Sequence, residues 1–218
     1  GEQMLRRLPA LICLTVFLAA TLMITGIARG ESASFQECEN ALDGARFRHT
    51  ATKITAGPEA GKVIIVGGDS ESSATPTGTT SVYSSCFIYD PDTNSFTQVA
   101  DLNVARTLHS AVSLPNGRIL VAGGFNGSNE LSSTEIYDPI NDTWTLAGYL
   151  NTSRSNFTLT LLYTGGVIAM GGKQGDTALT SCEIYDFNAD SWVPTQPLAS
   201  GRYNHAAIRM LDGSIMVA

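Results

Sequence analysis

Positive charge is scarce in this sequence. Thirteen Lys and Arg stand against 20 Asp and Glu. Residues 1–30 hold three of the arginines and one glutamate, so the rest of the chain carries 10 basic residues against 19 acidic ones. A body without a basic footprint has little to offer a phosphate backbone, and nucleic acid is not an expected partner. Sustained helical periodicity is absent after residue 30, which points away from any helical class. Histidine is limited to His49, His109 and His205. Nowhere do a nucleophile, a base and an orienting residue gather at irregular positions, as catalysis requires. Only Cys38, Cys86 and Cys182 follow residue 30. That odd number, in an oxidising compartment, implies a free thiol or a partner outside the sequence.

What is there begins with a composition of 43% apolar and 15% charged residues with 21 glycines, which suits a folded chain with many turns. At the N-terminus Arg6 and Arg7 precede an uncharged apolar run from Leu8 to Ala28, closed by Arg29. The run is long enough to span a bilayer, yet Ala28 and Gly30 are small residues of the kind signal peptidase accepts. Residues 1–30 therefore read as a signal peptide or a signal-anchor transmembrane helix, with 31–45 as linker. The positive flank stays cytoplasmic. The remainder is expected to be secreted, or displayed on the exoplasmic side of a single span that meets the lipid through residues 8–28. Asn126, Asn141, Asn151 and Asn156 each begin an N-x-S/T sequon, in keeping with export.

The stretch "SSTEIYDPINDTW" (132–144) has near copies in "SSCFIYDPDTNSF" (84–96) and "TSCEIYDFNADSW" (180–192), and Asp90, Asp138 and Asp186 recur at intervals of 48 residues. A fixed period of this length signals a repeat architecture. Each unit carries Arg-x-x-His, an apolar run ending in Gly-Gly, then Tyr-Asp, then Trp or Phe. Arg46, Arg106, Arg154 and Arg202 open the units, and Gly67-Gly68, Gly123-Gly124 and Gly171-Gly172 close the apolar runs. The first unit is longer by 12 residues, placed in two loops, "AGPEAG" and "DSESSATPTGTTS". Insertions confined to loops leave a repeat intact.

Local chemistry turns each mark into a strand or a turn. Asn116-Gly117 between "HSAVSLP" and "RILVAGG" predicts a hairpin with a type I′ turn. The second run is apolar throughout, as for a strand covered on both faces. Asp138-Pro139 favours a turn, and Trp144 and Leu146 alternate with Thr145 and Ala147, predicting a half-buried strand. Four short antiparallel strands per unit make a sheet that must lean on its neighbours, and radial stacking is the expected solution.

This pattern resembles the kelch repeat, whose marks are a glycine pair ending the second strand, a tyrosine in the third and a tryptophan in the fourth. The resemblance covers Arg46 to Ala218, with Phe96 in place of Trp, Phe157 in place of His and Phe187 in place of the turn proline. It implies an all-β kelch-type β-propeller: three complete four-stranded blades at about 46–105, 106–153 and 154–201, and half of a fourth at 202–218. Kelch-type rings usually close with six or seven blades, so the chain reads as part of a larger ring, with closure between two chains as the alternative.

The resemblance also implies a loop face where partners bind. Arg46, Arg106, Arg154 and Arg202 would sit there, either as ligand contacts or in structural pairs with a neighbouring blade. Asp69 and Glu71, in the inserted loop, share that face, as do sequons Asn126, Asn151 and Asn156, of which Asn156 is the least suited to a glycan. The three histidines occupy one repeat position and read as packing. Asp90, Asp92 and Asn94 imitate the start of a calcium loop, but Ser95 and Asp101 stand where Gly and Glu belong, and a turn is expected. Cys86 and Cys182 lie two blades apart, about 20 Å at sheet spacing, and cannot pair with one another. The expected function is a protein- or glycan-binding module without cofactor. The rival is a copper enzyme of the galactose-oxidase type, for which Tyr89, Tyr137 and Tyr185, being repeat residues, are not nominated as ligands.

Overall fold

The computed structural model describes residues 42, 44–70 and 81–218. The expected leader, most of the linker, Cys38 and Glu71 lie outside the described residues. All regular structure among the described residues is β. The first blade is a meander of β1 (Thr50–Lys53), β2 (Val63–Val66), β3 (Cys86–Asp90) and β4 (Ser95–Val99). The second is β5 (Ser110–Ser113), β6 (Ile119–Ala122), β7 (Thr134–Asp138) and β8 (Thr143–Ala147). The third begins with β9 (Thr158–Leu161) and β10 (Val167–Met170). It then carries a small hairpin, β11 (Lys173–Gln174) and β12 (Thr177–Ala178), and ends with β13 (Cys182–Asp186) and β14 (Ser191–Thr195). The half-blade is β15 (Ala207–Arg209) paired with β16 (Ile215–Val217). The innermost strands β1, β5, β9 and β15 lie side by side, so the sheets stack radially. The small hairpin in the third blade turns on Gly175-Asp176, with Gly175 at φ of 56°, a two-residue Gly-Asp signal that the 48-residue repeat overshadowed.

The recurrence of the tyrosine phrase has a geometric cause. In each blade the tyrosine is the direct cross-strand partner of the aromatic residue of the fourth strand: Tyr89 opposite Phe96, Tyr137 opposite Trp144, Tyr185 opposite Trp192. Their ring centroids are 5.1, 5.0 and 5.1 Å apart. Tilted pairs at this separation gain attraction beyond the area they bury.

The apolar second strand serves two neighbours at once, because successive side chains point to opposite faces. Ile119 and Val121 of β6 join Ile64, Val66 and Trp144 in the core between the first and second blades. Leu120 and Ala122 join Val167, Ala169 and Trp192 in the core between the second and third. The outermost strand is shared in the same way, and here two expectations need correction. Trp144 and Ala147 are its buried residues, one in each core, while Leu146 is 48% exposed. The Asn116-Gly117 turn is not type I′, since only Gly117 has positive φ. Pro115 fixes the first turn position at negative φ, so the chain makes a type I turn in which the Gly117 N–H donates to the Leu114 carbonyl and Gly117 takes the left-handed position.

The glycine pairs set how closely blades approach. Gly123 and Gly124 have φ of 60° and 98°. A Cβ on Gly123 would lie 2.6 Å from the Arg154 carbonyl oxygen and 2.7 Å from the Phe157 ring, both of the next blade. The Gly124 N–H donates to that same Arg154 carbonyl at 2.8 Å. Gly68 repeats this bond to Arg106 at 2.9 Å, and Gly172 to Arg202 at 2.8 Å. Gly123→Ala is expected to cost about 2–5 kcal/mol, combining left-handed strain with overpacking. Gly175→Ala, also left-handed but with open space around it, should cost only about 1–2 kcal/mol. Urea denaturation of the two variants checks the difference, which comes from the seam alone.

Candidate functional site

The four arginines that open the repeats are not equivalent to a row of ligand contacts. Arg46, Arg106 and Arg154 are buried, which corrects their expected place on an exposed face. Arg106 donates from Nη1 to the Gly123 carbonyl at 2.9 Å and the Ser133 carbonyl at 3.0 Å, and from Nη2 to Ser133 Oγ at 3.0 Å and Glu135 Oε1 at 2.7 Å. Arg154 makes the same set with Gly171, Ser181 and Glu183. Each pair therefore closes within its own blade, not with a neighbour. The guanidinium thus bridges the glycine pair that ends the second strand and the serine just before the third, whose carbonyl also accepts the N–H of the first glycine. Burial lowers the pKa of both guanidinia while the adjacent glutamate opposes the shift.

Glu135 and Glu183 are the partners that sequence reasoning missed, although their own 48-residue spacing was visible. Glu135 also accepts the backbone N–H of Asn103 at 2.8 Å, Asn103 Nδ2 at 2.9 Å and the Val104 N–H at 3.1 Å. Glu183 does the same for Asn151 and Thr152. Each carboxylate thus ties the linker from the preceding blade to the arginine of its own. In the first blade the glutamate position is Phe87, and the Arg46 guanidinium lies 5.0 Å from its ring centroid and 4.9 Å from that of Tyr83. Both ring faces lie within cation–π range. Arg202 is half-buried and reaches the Val217 carbonyl and Ser200 Oγ.

Asp69 is likewise buried, a second correction to the expected ligand face. Its carboxylate takes Arg48 Nε at 2.9 Å and Nη2 at 2.5 Å, and accepts the Thr107 hydroxyl of the next blade. Ser70 and Ser81 close the neck of the inserted loop through two hydrogen bonds.

The histidines sit in the seams, as a packing role requires. His109 Nε2 meets Thr50 Oγ1 of the preceding blade at 2.8 Å, and His205 Nε2 meets Thr158 Oγ1 at 3.1 Å. Where Phe157 replaces histidine, the preceding blade offers Ser110, which accepts the Leu159 N–H instead. Burial, Arg106 and His49 together push His109 down to about 3. The residue before each of these positions, Arg48, Leu108, Asn156 and Asn204, has φ of 54–56°. Three hydrogen bonds link these four around the inner rim, the N–H groups of Leu108, Asn156 and Asn204 each donating to the carbonyl of its counterpart in the previous blade.

The remaining candidates are held in turns. The hydroxyls of Tyr89, Tyr137 and Tyr185 donate to Asn94, Asp142 and Asp190. Asp142 and Asp190 also accept N–H groups of Ala100 and Gly148 from the preceding blade. Asp90 caps its own turn by accepting the Asp92 N–H. Cys86 and Cys182 are free and buried, and burial raises the Cys86 thiol to about 12. Among the described residues no three of His, Cys, Asp or Glu gather closely enough to hold a metal ion, and no helix is long and apolar enough to cross a membrane.

Four-stranded antiparallel sheets in radial order, with paired Tyr and Trp and a left-handed glycine pair, describe one repeated structural unit. Residues 106–151 match the Kelch motif. That stretch covers β5 to β8 and the linker that leaves them, and the first and third sheets share its strand order, its left-handed glycine pair and its tyrosine opposite an aromatic residue. All three are kelch-type blades of a β-propeller. No curated protein matches the chain.

Glu135→Ala is expected to destabilise the chain by about 3–5 kcal/mol, because it leaves a buried guanidinium uncompensated. Glu135→Gln should fall between, keeping one acceptor and losing the other. Chemical denaturation orders the three proteins.

His109 gives a pH signature. Unfolded, its imidazole takes a proton below about pH 6.5; folded, it stays neutral down to about 3. The unfolded state then binds more protons throughout this window, so stability falls as pH drops from 6.5 towards 3. His109→Phe, copying the third blade, should shrink the loss between pH 6.5 and 4.5 by about 2 kcal/mol. Urea midpoints at the two pH values measure it.

Proposed function

We infer from the Kelch motif and the radial blades that this propeller is a protein-interaction module. We propose that this one works outside the cytoplasm, exported or anchored through residues 8–28, and binds a protein or glycan ligand through the exposed connections of its blades. The carrying observation is that the recurring polar side chains are committed to holding blades together. Arg106 and Arg154 spend their donors on Gly, Ser and Glu of their own sheets, and the tyrosine hydroxyls end on turn side chains. What is both exposed and different from blade to blade is the set of loops and turns, where recognition residues concentrate in propellers and other rigid scaffolds.

The sequons supply the test of export, and their surroundings differ. Asn126 is exposed at a loop tip and uses only its Oδ1, which accepts the Ser128 and Asn129 N–H groups. Asn141 is exposed in a turn, with Nδ2 donating to Asp138. Asn151 spends both Nδ2 protons, on Glu183 at 2.8 Å and on the Trp192 carbonyl at 2.6 Å, and a glycan would remove one of them. Asn156 is left-handed at the inner rim. Expressed in cells that glycosylate, the full chain should shift on endoglycosidase treatment. Asn126→Gln and Asn141→Gln should each remove one step of that shift, and Asn151→Gln none. A chain that stays in the cytosol without a shift rules out the export reading.

A further inference from the structure

The antiparallel meander places two kinds of connection at opposite ends of the blades. The loops that follow the glycine pairs lie at one end, with the linkers and arginines. The β1–β2, β5–β6, β9–β10 and β15–β16 turns lie at the other, together with the β3–β4, β7–β8 and β13–β14 turns. Exposed apolar side chains occur at both ends, Phe47, Tyr149 and Tyr203 among the linkers included, but this second face combines them with clefts and a charge surplus.

The first property is apolar exposure. Ile140 is 69% exposed, Tyr163 60%, Phe187 42% and Leu211 96%, and each belongs to a turn of this face. Shallow clefts between blades lie beside two of them, Ile140 and Phe187. One, of about 300 Å³, runs between Ala56, Asn116, Arg118 and Ile140. The next, of about 170 Å³, runs between Asn116, Gly165 and Phe187, so Asn116 divides the two. The Tyr163 hydroxyl in turn donates to the Leu211 carbonyl of the half-blade. A run of exposed large apolar side chains of this kind marks an interaction surface.

The second property is charge. The turns carry eight carboxylates (Glu59, Asp90, Asp92, Asp138, Asp142, Asp186, Asp190 and Asp212) and two cations, Lys62 and Arg118. Lys62 is already paired with Glu59 and Asp90, and Arg118 with Asp138. Adding the strand-end Lys53 and Arg209 still leaves a surplus of four negative charges. At the described loop face, by contrast, Arg48, Lys173 and Arg202 balance Asp101, Glu130 and Asp176, while Arg106 and Arg154 are buried against Glu135 and Glu183.

We propose that the turn face is the docking surface, and that its occupant is a cationic polypeptide segment in which Lys or Arg alternates with bulky apolar side chains. This rests on the interaction-module reading and narrows it to one face and one partner class. The apolar side chains would fill the clefts beside Ile140 and Phe187 while the cations meet the flanking carboxylates. Complementary charge steers such a partner and rejects others. Membrane surfaces and nucleic acids are anionic and are repelled by this face, as is a second copy of a chain whose own net charge is −7.

The probe is a fluorescent 12-residue peptide alternating Lys with Leu, with a Glu–Leu peptide and a Lys–Ser peptide as controls, titrated with the full chain. The Lys–Leu peptide should bind, and binding should weaken as NaCl rises from 50 to 500 mM. Ile140→Ser combined with Phe187→Ser should weaken it about tenfold, as loss of an anchoring contact does. Charge reversal at exposed Asp92 should weaken it as well, while Gln174→Ala on the loop face leaves it unchanged. Circular dichroism and urea midpoints confirm that the variants remain folded, which exposed positions permit. Equal binding of the Glu–Leu peptide, no binding of the Lys–Leu peptide, or binding that survives the turn-face changes overturns the proposal. None of these outcomes depends on export, so failure of the glycosylation test remains a separate result.

Discussion

One close approach governs this molecule: the backbone of each glycine pair against the arginine carbonyl that opens the next blade. Gly124 reaches Arg154 at 2.8 Å only because Gly123 has no Cβ to meet that carbonyl. From this contact the rest follows. The left-handed glycines end the second strand, and the arginine side chain turns inward to join the Gly123 carbonyl to the Ser133 carbonyl at the start of the third. The buried guanidinium then calls for a carboxylate, supplied by Glu135 or Glu183, and the carboxylate's second oxygen captures the incoming linker. A charge pair in this setting contributes geometry more than net stability. What it fixes is where one blade begins relative to the last.

A repeat built this way separates architecture from recognition. The side chains that recur do so because each meets the same neighbours in every blade, and they are used up in that meeting. The exchange at the histidine position shows how tightly the seams are matched. Where His109 or His205 finds a threonine hydroxyl in the preceding blade, Phe157 faces Ser110, whose hydroxyl turns to a backbone N–H. Function is left to the connections, and these differ in chemistry between the two ends of the stack. One end is rimmed by arginine-bearing linkers, and the other presents carboxylates interleaved with exposed Ile, Tyr, Phe and Leu.

Much of the fold was legible before any coordinates. The 48-residue interval, the pairing of Tyr with Trp or Phe, the wholly apolar second strand and the loop placement of the first insertion all survive in the structure, because each expresses local pairing or periodicity. The turn at Asn116 was misread in type because Pro115, one residue earlier, fixes φ and shifts the glycine to the next position. The arginines were recognised as repeat marks and then placed on the wrong side of the surface. Nothing in Arg-x-x-His reveals that the carbonyls to be satisfied lie 17 and 27 residues downstream.

The sequence by itself determined the blade: strand count, register of the aromatic pair, turn chemistry and the need for a neighbour, all of which depend on residues within one period. Tertiary structure alone decided which polar groups are consumed between blades and which remain for a partner. Burial and hydrogen bonding join residues from different periods, and no spacing within one period shows which carbonyl a side chain will meet across a seam.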